Sequence, residues 1–181
     1  MKKAVLPGKV RLTASYNMST FDQLLDLHKE IDAVFFAHQC SLLHFDFETA
    51  LSTLGQYESL LLRHMQDEED HLLPLYAERA PFEKAGAPQL FWDDHTKMRA
   101  YVEQFREQTI KIAEEPHPEE SLLLLLDRES FYKRLCTHHD KREREHLYPA
   151  LNSICTESES TEIMTRVMCE IDHSLSTIDA A

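Results

Sequence analysis

Glycine is scarce in this chain, three residues in 181, and β-branched residues show no sustained alternation with polar ones. Strand-rich architectures are therefore not indicated, and the composition favours helices. No apolar run reaches about 18 residues, the length needed to span a membrane. The opening stretch, residues 1–12, carries charge without the apolar segment of a secretory signal. Cys40, Cys136, Cys155 and Cys169 are scattered with no C-x-x-C pair, a pattern of reduced thiols in a cytosol and not of a disulfide framework. A soluble cytoplasmic protein is the expectation. Positive charge is also short: 19 Lys and Arg stand against 32 Asp and Glu, a formal net charge of −13. That balance argues against a nucleic acid or an anionic membrane as partner. The basic group Lys2, Lys3, Lys9 and Arg11 is too short to overturn it.

What the chain does have is a stretch that occurs twice. His64-Met65-Gln66-Asp67-Glu68-Glu69-Asp70-His71-Leu72-Leu73-Pro74 returns further along as His139-Asp140-Lys141-Arg142-Glu143-Arg144-Glu145-His146-Leu147-Tyr148-Pro149. Both read H-x-x-x-E-x-x-H-L-x-P. On an α-helix, positions i, i+4 and i+7 share a stripe, so each copy is expected to point two imidazoles and a carboxylate the same way. Unpaired ionisable groups are costly to bury, and two matched sets point to a cation between them.

Helical spacing organises the rest. Residues 1–18 form an arm without sustained period, 19–152 a helical domain, and 153–181 a C-terminal amphipathic segment. A first helix, capped by Ser19 or Thr20, carries Phe21, Leu24, His28, Ile31, Phe35 and His38 at steps of three and four. The chain turns near residue 46, with Asp46 capping a second helix that holds His64, Glu68 and His71; Pro74 kinks or ends it. The segment Pro81 to Pro88 is a loop. A third helix carries His95, Pro116-His117-Pro118 breaks it, and a fourth runs from about Ser121 through His139 and Glu143 to Pro149. Residues 156–178 form a short fifth helix that either pads the domain or contacts a second copy or another protein. Four long helices with short connections predict an all-α, antiparallel up-down-up-down four-helix bundle.

Position along the chain tests the pairing. Residue 46 lies midway in sequence between His28 and His64, and His117 lies midway between His95 and His139. Helices rise by about 1.5 Å per residue, so equal distances from a turn put each pair at one height. Asp26-Leu27-His28 also resembles Asp93-Asp94-His95, so the domain reads as a duplicated helical hairpin. The expected ligands are His28, His64, Glu68, His95, His139 and Glu143. Mixed nitrogen and oxygen ligation suits iron, manganese or zinc better than calcium or magnesium. Two carboxylates shared among four nitrogens imply two ions, with iron the first choice because such open sites bind dioxygen or nitric oxide.

Several residues have rival readings. His38 shares the stripe of His28 but lies much nearer the turn, too near to pair with His64. Glu68-x-x-His71 and Glu143-x-x-His146 match the E-x-x-H pattern of ferritin-like proteins, yet Glu30, Glu103 and Glu107 do not supply that family's remaining carboxylates. His71 and His146 are then supporting donors or core residues. Glu69, Asp70, Arg142, Arg144 and Glu145 read as a solvated helix face. Tyr57, Tyr132 and Tyr148 read as core, within reach of the site. His44, His117 and His173 read as loop or surface residues, and His138 as partly exposed. A metal-free core of His–Glu pairs is the bland alternative; two matching copies and two further histidines argue against it.

These residues resemble the hemerythrin-like family, also called the HHE cation-binding domain. His64-x-x-x-Glu68-Glu69-x-x-Leu72-Leu73-Pro74 and His139-x-x-x-Glu143-Arg144-x-x-Leu147-Tyr148-Pro149 fit its second- and fourth-helix motifs, and His28 and His95 fit the single histidines of the first and third. The similarity covers roughly residues 20–152. It implies a non-haem di-iron centre, oxo- or hydroxo-bridged, with Glu68 and Glu143 bridging. Members of the family bind oxygen, sense oxygen or redox state, handle nitric oxide, or repair iron–sulfur clusters. Oxygen carriers hold an H-x-x-x-H pair on the third helix, where this chain has His95 and Arg99, a departure that points away from simple transport. The expected function is binding or sensing of a diatomic ligand. The alternative is a stress-response enzyme acting on iron centres, nitric oxide or peroxide, with its chemistry belonging to the metal.

Overall fold

Helix starts and stops follow from local chemistry along the computed structural model, which describes residues 21–178 and side chains as far as residue 167. The arm over 1–18, the cap at Ser19 or Thr20, and the side chains of Cys169 and His173 lie outside the described residues. A short 3-10 turn at Phe21–Gln23 leads into α1 (Leu24–Leu43). Phe45 ends it in the left-handed region with φ of 56°. The amide of Phe45 bonds to the Leu42 carbonyl and that of Asp46 to the Ser41 carbonyl, closing the helix end in a Schellman turn. Asp46 then caps α2 (Phe47–Asp67), its Oδ1 accepting from the Thr49 amide at 3.1 Å.

Beyond α2 the helix does not continue as an α-helix. Residues Glu68–Leu72 form a π-turn, followed by α3 (Leu73–Arg79). Proline supplies the reason. Pro74 has no N–H, and its ring crowds the carbonyl four residues back, that of Asp70. The preceding turn widens, so the Leu73 amide bonds to the Glu68 carbonyl five residues back. The same happens again after α4 (Pro88–Ala113) and α5 (Glu119–Arg142): Pro149 follows a π-turn at Glu143–Leu147, and the Tyr148 amide bonds to the Glu143 carbonyl. Then come α6 (Tyr148–Ile154) and α7 (Glu157–Ile178). Pro88 is the first residue of α4, not the end of the loop, because its fixed φ suits a helix start. Acidic Glu119 and Glu120 favour the start of α5 two residues before Ser121.

The described residues are helical, with no strand among them, and none of their helices is long and apolar enough to cross a membrane. Contacts join α1 to α2, α2 to α4, α4 to α5, and α1 to α5. Two apolar clusters result. One contains Ile31, Phe35, Leu54, Tyr57, Met98, Phe105 and Tyr132. The other gathers Phe21, Leu24, Leu72, Tyr76, Phe91, Leu147 and Leu151 with Met164 and Val167 of α7. Each fully buried aliphatic or aromatic side chain contributes roughly 1.5–3 kcal/mol. The fifth helix is therefore not short: α7 has 22 residues, and its described half buries Ser160, Met164 and Val167 against its own chain.

Gly86 sits where backbone must approach closely. A Cβ there would lie 2.8 Å from the Cβ and Cγ of His146 and 2.9 Å from the Tyr76 hydroxyl. That hydroxyl donates to the Gly86 carbonyl at 2.8 Å. Gly86→Ala is expected to destabilise the chain by about 1–3 kcal/mol through overpacking, read as a lowered urea midpoint with unchanged slope.

Candidate metal centre

Along each of the four helical runs, the predicted ligands fall between the two apolar clusters. His28 lies between Leu24 and Ile31, His64 and Glu68 between Leu61 and Leu72, His95 between Phe91 and Met98, and His139 and Glu143 between Tyr132 and Leu147. All six are buried. Nε2 of His28 lies 2.8 Å from Nε2 of His64, and Nε2 of His95 lies 3.2 Å from Nε2 of His139. Equal spacing about each turn thus brings together the pairs it named. Glu143 reaches both: Oε1 is 2.6 Å from Nε2 of His139, and Oε2 is 3.4 Å from Nε2 of His28. Glu68 places Oε2 at 3.4 Å from Nε2 of His95 and Oε1 at 3.8 Å from Nε2 of His64.

Two groups of potential ligand atoms emerge, each within 4.8 Å: Glu68, His95, His139 and Glu143 in one, His28, His64 and Glu143 in the other. Glu143 belongs to both. The residues fit a metal on two counts. Glu68 Oε2 and both carboxylate oxygens of Glu143 are buried without a well-aligned hydrogen bond, and with only His139 close to Glu143, at 2.6 Å, two neighbouring buried carboxylates favour a cation between them. Two imidazole nitrogens each about 2.1 Å from one ion, at a right angle, stand about 3.0 Å apart, close to both observed separations.

Electrostatics describe the same poise. Burial, reinforced by the His64 charge, lowers the His28 imidazole to about 3, so its ring is neutral and has a lone pair to offer. Burial likewise lowers His64. At Glu68 burial opposes ionisation, but the imidazoles of His64, His95 and His139 outweigh it and hold the carboxyl well below its usual range. Glu143 is pushed well above that range, first by burial and then by the charge of Glu68. Burial opposes the charge on His139, yet Glu143 and Asp94 outweigh it and raise its pKa.

Around these residues stands a supporting set. Glu69 accepts from Nδ1 of His95 at 2.8 Å and is held by both terminal nitrogens of Arg99, at 3.0 and 2.8 Å. Asp94 faces Nδ1 of His139 at 3.8 Å and is bonded by Arg142 and by Lys97. Burial pushes the Asp94 carboxyl up, but His139, Arg142 and Lys97 outweigh it and keep it ionised. Such outer carboxylates fix ring orientation and strengthen nitrogen donors. Tyr148 donates to Glu68 Oε1 at 2.9 Å.

Several expectations are corrected here. His71 and His146 do not share the stripe of His64–Glu68 and His139–Glu143, because each π-turn carries an extra residue after the glutamate. Leu72 and Leu147 stay fully buried at i+4, Leu73 and Tyr148 turn inward beside them, and both histidines are left half-buried, outside both ligand groups. His146 instead packs under Gly86. Glu69 and Arg142 are not a solvated face; they hold His95 and Asp94. Arg99, noted only as a departure from H-x-x-x-H, clamps Glu69. Tyr148 reaches the site, whereas Tyr57 and Tyr132 bond to each other at 2.5 Å. His38 is fully buried but committed elsewhere: its Nδ1 bonds to the Ala50 carbonyl at 2.8 Å and its Nε2 to Glu129 at 3.0 Å. Glu129, which no sequence pattern singled out, is fully buried and also accepts from Gln39.

The conspicuous signal for the supporting set was charge next to each ligand: Glu69 after Glu68, and Asp94 before His95. Compared with models of protein families, with curated proteins and with solved structures, the chain matches none.

Proposed function

We propose that this chain is a non-haem di-iron protein of the hemerythrin-like kind, an antiparallel up-down-up-down four-helix bundle that binds or senses dioxygen or nitric oxide. The observation that carries the reading is the pair of buried His/Glu groups joined at Glu143, with carboxylate oxygens that have no well-aligned hydrogen bond. Helix contacts running from α1 to α2, α4, α5 and back to α1 support the bundle.

His95 and His139 with Glu68 would hold one ion, His28 and His64 the other, and Glu143 both. Iron so held supplies affinity for a diatomic ligand. The chain's own residues do the rest. Glu69 orients His95 through its bond to Nδ1, Asp94 places a negative charge near His139, and Tyr148 donates to Glu68 Oε1, fixing that carboxylate. The flanking apolar clusters close the site off at its two ends along the helices. A small cavity lies beside His28, His64 and His139, where a diatomic ligand would reach the centre.

Iron analysis with optical spectra of reduced and air-exposed protein tests the reading. Stoichiometric iron and a spectrum that changes with oxygen or nitric oxide, lost in Glu68→Ala, are expected. A purified chain without iron or any metal-dependent spectrum would sink it.

A further inference from the structure

We propose that divalent cations reach the centre through an acid-lined passage between α1 and α5, with Asp32 at its mouth and Asp140 further in. The inference rests on the metal-binding reading above. Two cavities meet here. The inner one touches His28, His64 and His139. The outer one, about 210 Å³, opens among Phe36, Lys133 and Thr137, all exposed. Asp32, Tyr57, Cys136 and Asp140 line both, so the two spaces share one wall and lead from the surface to the ligand nitrogens.

Exposure falls along this line. Asp32 is exposed, Asp140 is 24% exposed and His28 is 8% exposed. At the inner end, Nδ1 of His28 is buried without a hydrogen-bond partner and stands 3.6 Å from Oδ1 of Asp140. With Nε2 turned to the centre, Nδ1 carries the ring proton, and the Asp140 carboxylate opposite it is the place where a cation, or water from its shell, would be held in transit. Carboxylates in a narrow low-dielectric cleft focus field lines and raise the local concentration of cations.

The other wall groups do not trap the ion. Burial pushes the Cys136 thiol up to about 12, so it stays protonated and is a poor ligand. The hydroxyls of Tyr57 and Tyr132 are engaged with each other. Lys133 opposes entry: its ammonium lies near Asp32 and partly offsets that charge.

Stopped-flow loading of metal-free full-length protein with cobalt(II) tests the passage, because cobalt absorbs visibly once ligated. Asp32→Asn is expected to slow loading about tenfold at low ionic strength. The effect shrinks as salt screens it, and the final cobalt content stays at the wild-type value. Lys133→Gln, an exposed change that leaves the fold intact, speeds loading. A chain that loads fully at a rate indifferent to either substitution overturns the passage alone. A wild-type chain that takes up no cobalt overturns the metal reading, and the passage with it.

Discussion

Glu143→Ala is expected to empty both metal positions, whereas His28→Ala empties one. Glu143 is the residue common to the two ligand groups, with Oε1 2.6 Å from His139 and Oε2 3.4 Å from His28. His28 belongs to one group only. Loss of a residue that merely orients a ligand costs about 10–100-fold in affinity, and loss of a shared ligand costs more than that at both ions. Metal per chain, measured after equilibration with limiting free iron and gel filtration, should fall from about two to none in Glu143→Ala and to about one in His28→Ala. Stability is a useful control. In the metal-free chain, removal of Glu143 relieves the desolvation of its buried carboxylate but leaves Nε2 of His139, 2.6 Å away, without that partner, so a urea melt of each variant checks that it is folded before metal is counted. Equal metal loss in the two variants would show that the ions are not joined through Glu143.

How far the sequence carries the reader depends on which interactions have a period. Equal spacing about a turn is informative because a turn fixes heights on straight helices: residue 46 lies in the first turn, and His28 meets His64. It works again at the second turn, where His95 meets His139. The same logic fails one turn later because it assumes an unbroken α-helical period throughout. Pro74 and Pro149 widen the turns before them, and the buried positions become Leu72 with Leu73 and Leu147 with Tyr148, while His71 and His146 stay half-buried. Both prolines are plain in the sequence; what they do to the register is visible only once the carbonyl they crowd is identified. Contacts between separate helices have no period at all. Nothing in the order of residues joins Arg99 on the third long helix to Glu69 after the second, or His38 to Glu129 far along the chain. Charge runs therefore read as solvated surface, as Asp70, Arg144 and Glu145 are, while Glu69 and Arg142 among them hold His95 and Asp94. At the C-terminus the amphipathic spacing of 156–178 is genuine, but spacing alone does not say whether the apolar face covers its own chain, as Met164 and Val167 do.

Saturating metal is expected to raise the melting temperature of the chelated protein by about 10 °C, from the size of the binding term and the entropy of unfolding. A ligand that binds the native state stabilises it by RT ln(1 + [L]/Kd), which is about 4 kcal/mol at a free concentration of about 1,000 Kd. A domain of this size gains roughly 2–4 °C per kcal/mol. The gain arises from particular atoms. Without an ion, Glu68 Oε2 and both oxygens of Glu143 are buried without well-aligned hydrogen bonds, and burial together with the neighbouring Glu68 charge drives Glu143 toward its protonated form. Two adjacent buried carboxylates cannot both ionise without cost; an ion between them removes that conflict and takes up the facing nitrogens of His28 and His64, and of His95 and His139. Glu69→Gln, which weakens the hold on His95 and loosens the Arg99 clamp without touching either carboxylate ligand, should lower the melting temperature of the metal-free protein slightly and also lose part of the increment. A tenfold fall in affinity corresponds to about 1.4 kcal/mol, or roughly 3–5 °C of the shift. Differential scanning calorimetry of chelated and metal-loaded samples measures all four values. A loaded protein that melts with the chelated one would mean that the buried carboxylates are satisfied by something other than a cation, most directly by a proton shared between Glu143 and His139 at 2.6 Å.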